Sequence, residues 1–206
     1  MPPRAVVFDI GNVLIEWQPE RHYDAVIGPV RRKAMFEAVD LHGMNDRVDR
    51  GAPFKETIYE TAQLYPEWRS EIRMWYDQWI HMAQPAIDRS VRLLRALRSE
   101  GVPVFALSNF GIDSFAYAQT QYQFLKEFDR KYISGHMATA KPDAEIYQML
   151  EEDTGLSGAD LLFADDRDEN IDAAVARGWH GHLFRSPQGW AECLIGHGLL
   201  TSDQAA

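Results

Sequence analysis

The sequence predicts an α/β protein, a doubly wound, mostly parallel sheet with an inserted α-helical cap. Three observations lead there. Short apolar, β-branched runs within residues 5–14, 102–107 and 161–164 stop abruptly at polar residues, as strands buried on both faces do. Helical patterns separate the later runs, and strands joined through helices must pair in parallel. Between residues 16 and 84 the alternation gives way to helical periodicity rich in aromatics, so that block reads as an insertion.

The elements follow in order. Residues 5–14, Ala-Val-Val-Phe-Asp-Ile-Gly-Asn-Val-Leu, read as a strand that delivers Asp9 to a tight turn at Gly11 and Asn12. Residues 19–27 and 31–42 read as helices, and residues 43–46 and 49–51 as loops. Pro53 opens a helix to about Tyr65, and Pro66 opens another whose Ile72, Trp75, Trp79 and Met82 share one face. Ile87, Val91, Leu94 and Leu97 mark a helix that Gly101 ends. A second strand covers residues 102–107 and stops at Ser108-Asn109. A helix at 112–124, a strand at 131–134 and a Pro-initiated helix at 142–152 come next. The strand at 161–164 ends at Asp165-Asp166, a helix spans 168–177, and a fifth strand covers 180–184. The last residues, Thr201 to Ala206, read as disordered.

With 206 residues and 46% apolar content, one core plus a sizeable insertion is expected. The division predicted is a core domain of residues 1–15 and 85–206 and a helical cap domain of residues 16–84. A net charge of −10 gives no long-range attraction for nucleic acid or an anionic membrane, so neither is an expected partner. The lone Cys193 excludes an intrachain disulfide and a cysteine-based metal site, and suits a reducing cytoplasm. No apolar stretch has the length of a signal peptide or membrane span, so a cytoplasmic protein is expected.

Asp9, Ser108-Asn109 and Asp165-Asp166 each end a parallel strand, so residues far apart in sequence are predicted to meet on one sheet edge. Lys141, just before a Pro-initiated helix, is within reach of the same edge. Singly, each has an ordinary reading: Asp165-Asp166 and Ser108-Asn109 as helix caps, Lys141 as a solvated lysine. Their convergence favours chemistry. Clustered carboxylates repel one another unless a cation neutralises them, and oxygen ligands at this density suit Mg²⁺ beside a phosphate. A carboxylate there can attack phosphorus while Lys and hydroxyl donors absorb the phosphoryl charge.

The stretches Phe8-Asp9-Ile10-Gly11-Asn12-Val13, Leu107-Ser108-Asn109, Lys141-Pro142-Asp143 and Phe163-Ala164-Asp165-Asp166 followed by Asn170 resemble the haloacid dehalogenase superfamily. The match is to its phosphatase-like branch, with a Rossmann-like core and a helical cap inserted after the first strand. The resemblance implies that Asp9 is the nucleophile, with Mg²⁺ held by Asp9, the Gly11 carbonyl and Asp166. Asp165 and Asn170 would act from the outer shell, Ser108 and Asn109 would hold the phosphoryl oxygens, and Lys141 would neutralise them.

One position departs from the pattern. Most phosphatases of this superfamily carry a second Asp two residues after the nucleophile as acid and base, whereas this chain has Gly11. Loss of such an acid costs roughly 10²–10⁴-fold for an alkoxide leaving group. A better leaving group, such as an anomeric sugar oxygen, suffers less, and Gly followed by Asn-Val is similar to the branch containing sugar-1-phosphate phosphatases. The expected function is therefore Mg²⁺-dependent hydrolysis of a small phosphorylated metabolite, a sugar phosphate being one such class. Two rivals stand beside it: a 2-haloacid dehalogenase using Asp9 on carbon, and a phosphate-binding protein without turnover. His22, His42 and His81 are candidates to replace the missing acid, and Trp17 to line the substrate pocket.

Overall fold

In the computed structural model, which describes residues 2–206, the N-terminal apolar run forms β1 (Ala5–Phe8), buried along its whole length. Val6 and Phe8 belong to one packing layer and Ala5 and Val7 to the other, the period-2 alternation of a strand covered on both sides. β2 (Ile15–Trp17) follows, then the helices α1 (Pro19–Ile27), α2 (Pro29–Ala38), α3 (Leu41–Asp49), α4 (Phe54–Leu64), α5 (Arg69–Asp77) and α6 (Trp79–Met82). β3 (Ala83–Ala86) then pairs antiparallel with β2, placing Ile15 opposite Ala86 and Trp17 opposite Ala83. This ribbon gathers both ends of the helical block at one point. The remainder alternates as α7 (Asp88–Ser99), β4 (Val104–Ser108), α8 (Ile112–Gln121), β5 (Arg130–Ile133), α9 (Ser134–Met137), α10 (Ala144–Thr154), β6 (Leu161–Asp165), α11 (Asp168–Ala176), β7 (His180–Leu183) and α12 (Pro187–Gly196).

The main sheet has the order β5-β4-β1-β6-β7 with every pairing parallel, as the doubly wound expectation requires. Phe8 lies level with Ala106 of β4 and Ala164 of β6, so Asp9, Ser108 and Asp165 leave the sheet side by side at its carboxyl edge. Leu94, Leu97, Trp190 and Leu194 from α7 and α12 cover one face; Ile146, Tyr147, Leu150 and Ile171 from α10 and α11 cover the other. The first of these layers runs on without interruption into Ile58, Ile72 and Trp75 of the helical block. The block therefore packs as an extension of the sheet's own core.

Several sequence expectations need correction. Residues 43–46 and 49, read as loop, belong to α3. There the Asp40 side chain accepts the Gly43 amide at 2.8 Å, and Leu41, Met44 and Val48 are buried on one face. An N-cap and three buried apolar residues outweigh the poor helix propensity of Gly43 and Asn45. The helix predicted over 31–42 ends at Ala38, and the one opened by Pro66 begins as a 3₁₀ turn, Pro66–Trp68, and breaks at Gln78 between α5 and α6. The short β2–β3 ribbon and α12 have no counterpart in the sequence reading. Nor are residues 201–206 free of structure. Ala205 is buried, and its carbonyl accepts a bond from Arg89. Among the described residues, no helix is long and apolar enough to cross a membrane.

Candidate active site

Asp9 follows β1 directly, its amide bonded to the Ala164 carbonyl at 2.9 Å. Its Oδ1 accepts from the Ser108 hydroxyl at 2.7 Å and pairs with the Lys141 ammonium at 2.9 Å. Oδ2 has no hydrogen-bond partner among the described residues and is the oxygen left available. Burial raises the Asp9 pKa to about 6, with Lys141 opposing and Asp165 adding to the rise.

Lys141 is 4% exposed and bridges two carboxylates, reaching Asp165 Oδ2 at 2.6 Å as well as Asp9. Burial pulls its pKa down, but Asp165 and Asp9 together override this and the net shift is upward. Asp165 is fully spoken for: the Arg167 amide at 2.9 Å, the Asn170 side-chain amide at 3.0 Å to each oxygen, and Lys141. Its neighbour Asp166 is less buried, and its Oδ2 accepts from Asn12 Nδ2 at 2.9 Å. Burial, with Asp165 adding, raises the Asp166 pKa while Asn12 opposes.

Asp9, Asp165 and Asp166 each place an oxygen within 4.8 Å of the others. Three carboxylates facing one ammonium leave a formal charge of −2, and the donors are all hard oxygens, so the residues fit a divalent cation such as Mg²⁺.

The predicted site residues converge: Asp9, Gly11, Trp17, Ser108, Asn109, Lys141, Asp166 and Asn170 line one cavity of about 240 Å³. Asp165 sits directly behind it, bonded to Lys141. Two details differ from expectation. The Asn109 side chain is engaged in a reciprocal pair with the Lys141 backbone, 2.9 Å and 2.8 Å, so it positions the lysine loop and leaves Ser108 as the side-chain hydroxyl at Asp9. His22 and His81 lie outside the cavity, stacked on each other at 5.7 Å with His22 bonded to Gln78; of the three histidines only His42 reaches the lining.

Other residues line the cavity whose part in it the sequence does not signal. Asn12, in the left-handed region at φ 55°, bonds Asp166 with one end of its amide and accepts the Trp17 amide at 2.9 Å with the other. Trp75 and Trp79 join Trp17 in one aromatic wall, with ring centroids 5.8 and 6.0 Å from that of Trp17. Asn45, Asp46 and Asp49 enter from α3. An aromatic stripe at helical spacing is indistinguishable from ordinary packing in sequence, and α3 was hidden in a stretch read as loop.

A family model described as haloacid dehalogenase-like hydrolase matches residues 3–178. The chain belongs to this family. It is 28% identical over 185 residues to the sesquiterpene phosphatase astK of Aspergillus oryzae, covering 89% of this chain and 91% of that protein. Among solved structures it is similar to the family enzyme BT-2542 of Bacteroides thetaiotaomicron in complex with magnesium and inorganic phosphate. That likeness has a TM-score of 0.68 and 19% identity over 93% of this chain and 98% of the other. It is also similar to L-2-haloacid dehalogenase of Xanthobacter autotrophicus, with a TM-score of 0.63 and 18% identity over 98% and 86% of the two chains. As a haloacid dehalogenase-like hydrolase, the protein is an enzyme of hydrolytic type.

Proposed function

We propose that this hydrolase is a Mg²⁺-dependent phosphatase for a small monophosphate ester, acting through a phosphoryl group carried on Asp9. The observation that carries the reading is the state of the Asp9 carboxylate. Ser108 and Lys141 hold one oxygen, the other has no partner among the described residues, and a surplus of carboxylate charge surrounds it. A bound Mg²⁺ would be held by Asp9, the Gly11 carbonyl and Asp166, and would neutralise phosphoryl charge. Asp165 serves from behind by orienting Lys141, since all its acceptor positions are in use. Ser108 and Lys141 hold Asp9 in line and Lys141 offsets charge on the transferring group.

The wall of Trp17, Trp75 and Trp79 supports a substrate with an apolar body, and the likeness to a sesquiterpene phosphatase points the same way. A sugar phosphate is the second reading, favoured by Gly11 in place of an acid and by the polar Asn45 and Asp46 across the cavity. The helical block would act as the cap that excludes water. Dehalogenation is disfavoured because the net negative cluster repels a haloacid carboxylate. The discriminating experiment is a panel of prenyl, anomeric sugar and amino-acid monophosphates, with and without Mg²⁺, for the parent protein and Asp9→Asn. Mg²⁺-dependent phosphate release, lost in Asp9→Asn and fastest on a prenyl ester, is expected. Chloride release from a 2-chloroacid, or no turnover on any ester, refutes the proposal.

A further inference from the structure

We infer that Asp49, supplied by α3 of the helical block, is the general acid and base that Gly11 cannot be; this rests on the phosphatase reading above. Asp49 lines the same cavity as Asp9, half-buried and open to it. One oxygen of its carboxylate is held through a relay of two bonds. Asn45 Nδ2 donates to Asp49 Oδ2 at 2.8 Å, and the Trp75 indole N–H donates to the other end of the Asn45 amide at 3.0 Å. Accepting at Oδ2 leaves Oδ1 to carry a proton.

The backbone is anchored as well. The Ser134 hydroxyl donates to the Asp49 carbonyl at 2.5 Å and itself accepts the Phe110 amide at 2.9 Å, so the end of α3 is bonded to the loop that follows β4. Glycines permit that approach: a Cβ on Gly111 would sit 2.5 Å from Val48 Cγ1, and one on Gly51, at φ +102°, would sit 2.9 Å from the Gly135 carbonyl oxygen. Asp49 is thus fixed over the site rather than carried on a free arm.

The neighbouring candidates lack this setting. The His42 and Asp46 side chains are 65% and 54% exposed, and Asp46 is paired with Arg50. Around Asp49, burial first, then the charges of Asp46 and Asp9, raise its pKa to about 7; the Gly111 amide and Lys141 oppose, and Arg50 is turned to Asp46 and Asp143. A carboxylic acid titrating near neutrality can give and recover a proton within one turnover.

The steps balance as follows. Asp9 Oδ2 forms a bond to phosphorus as the bond from phosphorus to the ester oxygen breaks, and Asp49 gives its proton to that oxygen, releasing the alcohol. Asp49, now ionised, takes a proton from water as the water oxygen bonds phosphorus and the bond to Asp9 breaks. Inorganic phosphate leaves, Asp9 is restored as carboxylate, and Asp49 is restored as acid.

The test uses the full chain with Mg²⁺, an alkyl monophosphate that needs protonation, and p-nitrophenyl phosphate, which does not. In Asp49→Asn, kcat/KM for the alkyl ester should fall by roughly 10²–10⁴-fold. The p-nitrophenolate burst should survive, and a phosphorylated protein that is absent in Asp9→Asn should accumulate and be visible by intact mass. Alkyl-ester turnover within about tenfold of the parent, with no accumulation, overturns the role of Asp49 while leaving the phosphatase reading intact. A parent protein no more active than Asp9→Asn removes both. If Asp49→Asn does not fold, the parent decides: a shallow dependence of rate on leaving-group acidity supports an acid at the leaving oxygen, and a steep one overturns it.

Discussion

Replacing Lys141 with methionine tests whether this ammonium holds the site together. Lys141 is 4% exposed and lies 2.9 Å from Asp9 and 2.6 Å from Asp165, so Lys141→Met removes the cation from between two buried carboxylates and adds no compensating donor. Removing one partner of a buried ion pair costs about 3–5 kcal/mol, because the charge left behind stays desolvated. For a chain of this length, each kcal/mol lowers Tm by about 2–4 °C, so a fall of about 6–20 °C is expected.

The deficit has a pH signature. Asp9 already has a folded pKa of about 6 against an ordinary 3.8, and losing Lys141, which holds it down, moves it higher. Between 3.8 and the folded value the folded state binds more protons than the unfolded one, so stability falls as pH rises through that window. The gap between parent and variant should therefore be narrowest near pH 4 and widest above pH 7. Mg²⁺ should narrow it at high pH, since a cation at a hundredfold its dissociation constant adds about 2.7 kcal/mol. Thermal or urea unfolding of both proteins at several pH values, with and without Mg²⁺, measures this. A loss below about 1 kcal/mol at pH 8, or one independent of pH, would refute the reasoning.

Three further outcomes are expected. Asp49→Asn should gain stability at pH 8, because the Asp49 pKa of about 7 means that ionisation penalises the fold above that pH. Discounted for its partial exposure, the gain is about 1–2 kcal/mol and vanishes below about pH 4, as denaturation at the two pH values would show. At Gly11 an added Cβ meets nothing nearer than Trp17 Cβ at 3.9 Å. Gly11→Asp combined with Asp49→Asn should consequently recover at least about tenfold in alkyl-ester turnover by phosphate release. Trp17→Ala should raise KM for a prenyl monophosphate roughly 30-fold, the equivalent of about 2 kcal/mol, while inhibition by inorganic phosphate stays unchanged.

Much of the fold was legible because buried parallel strands are written locally. Residues 5–8, 104–107 and 161–164 are apolar without interruption, and the polar residue after each marks the edge where the chain turns. The helical block was visible as a change of period. Its internal boundaries were not, because α3 depends on the Asp40 cap and on burying Leu41, Met44 and Val48, while Gly43 and Asn45 argue locally for a loop. The β2–β3 ribbon, with Pro85 inside it, is too short to register as a pattern.

The amino-acid sequence alone determined which carboxylates, which hydroxyl and which lysine end strands or precede helices, and hence which residues share the sheet's carboxyl edge. That follows because a parallel sheet sends all like ends of its strands to one side. Only the tertiary structure decided the roles of groups whose function depends on partners remote in sequence. Asn109 faces the Lys141 backbone, Asn12 holds Asp166, and Asp49 reaches the cavity from α3 because glycines at 51, 111 and 135 let two backbones touch. Such contacts arise from the packing of one element against another, and no local propensity or periodicity encodes them.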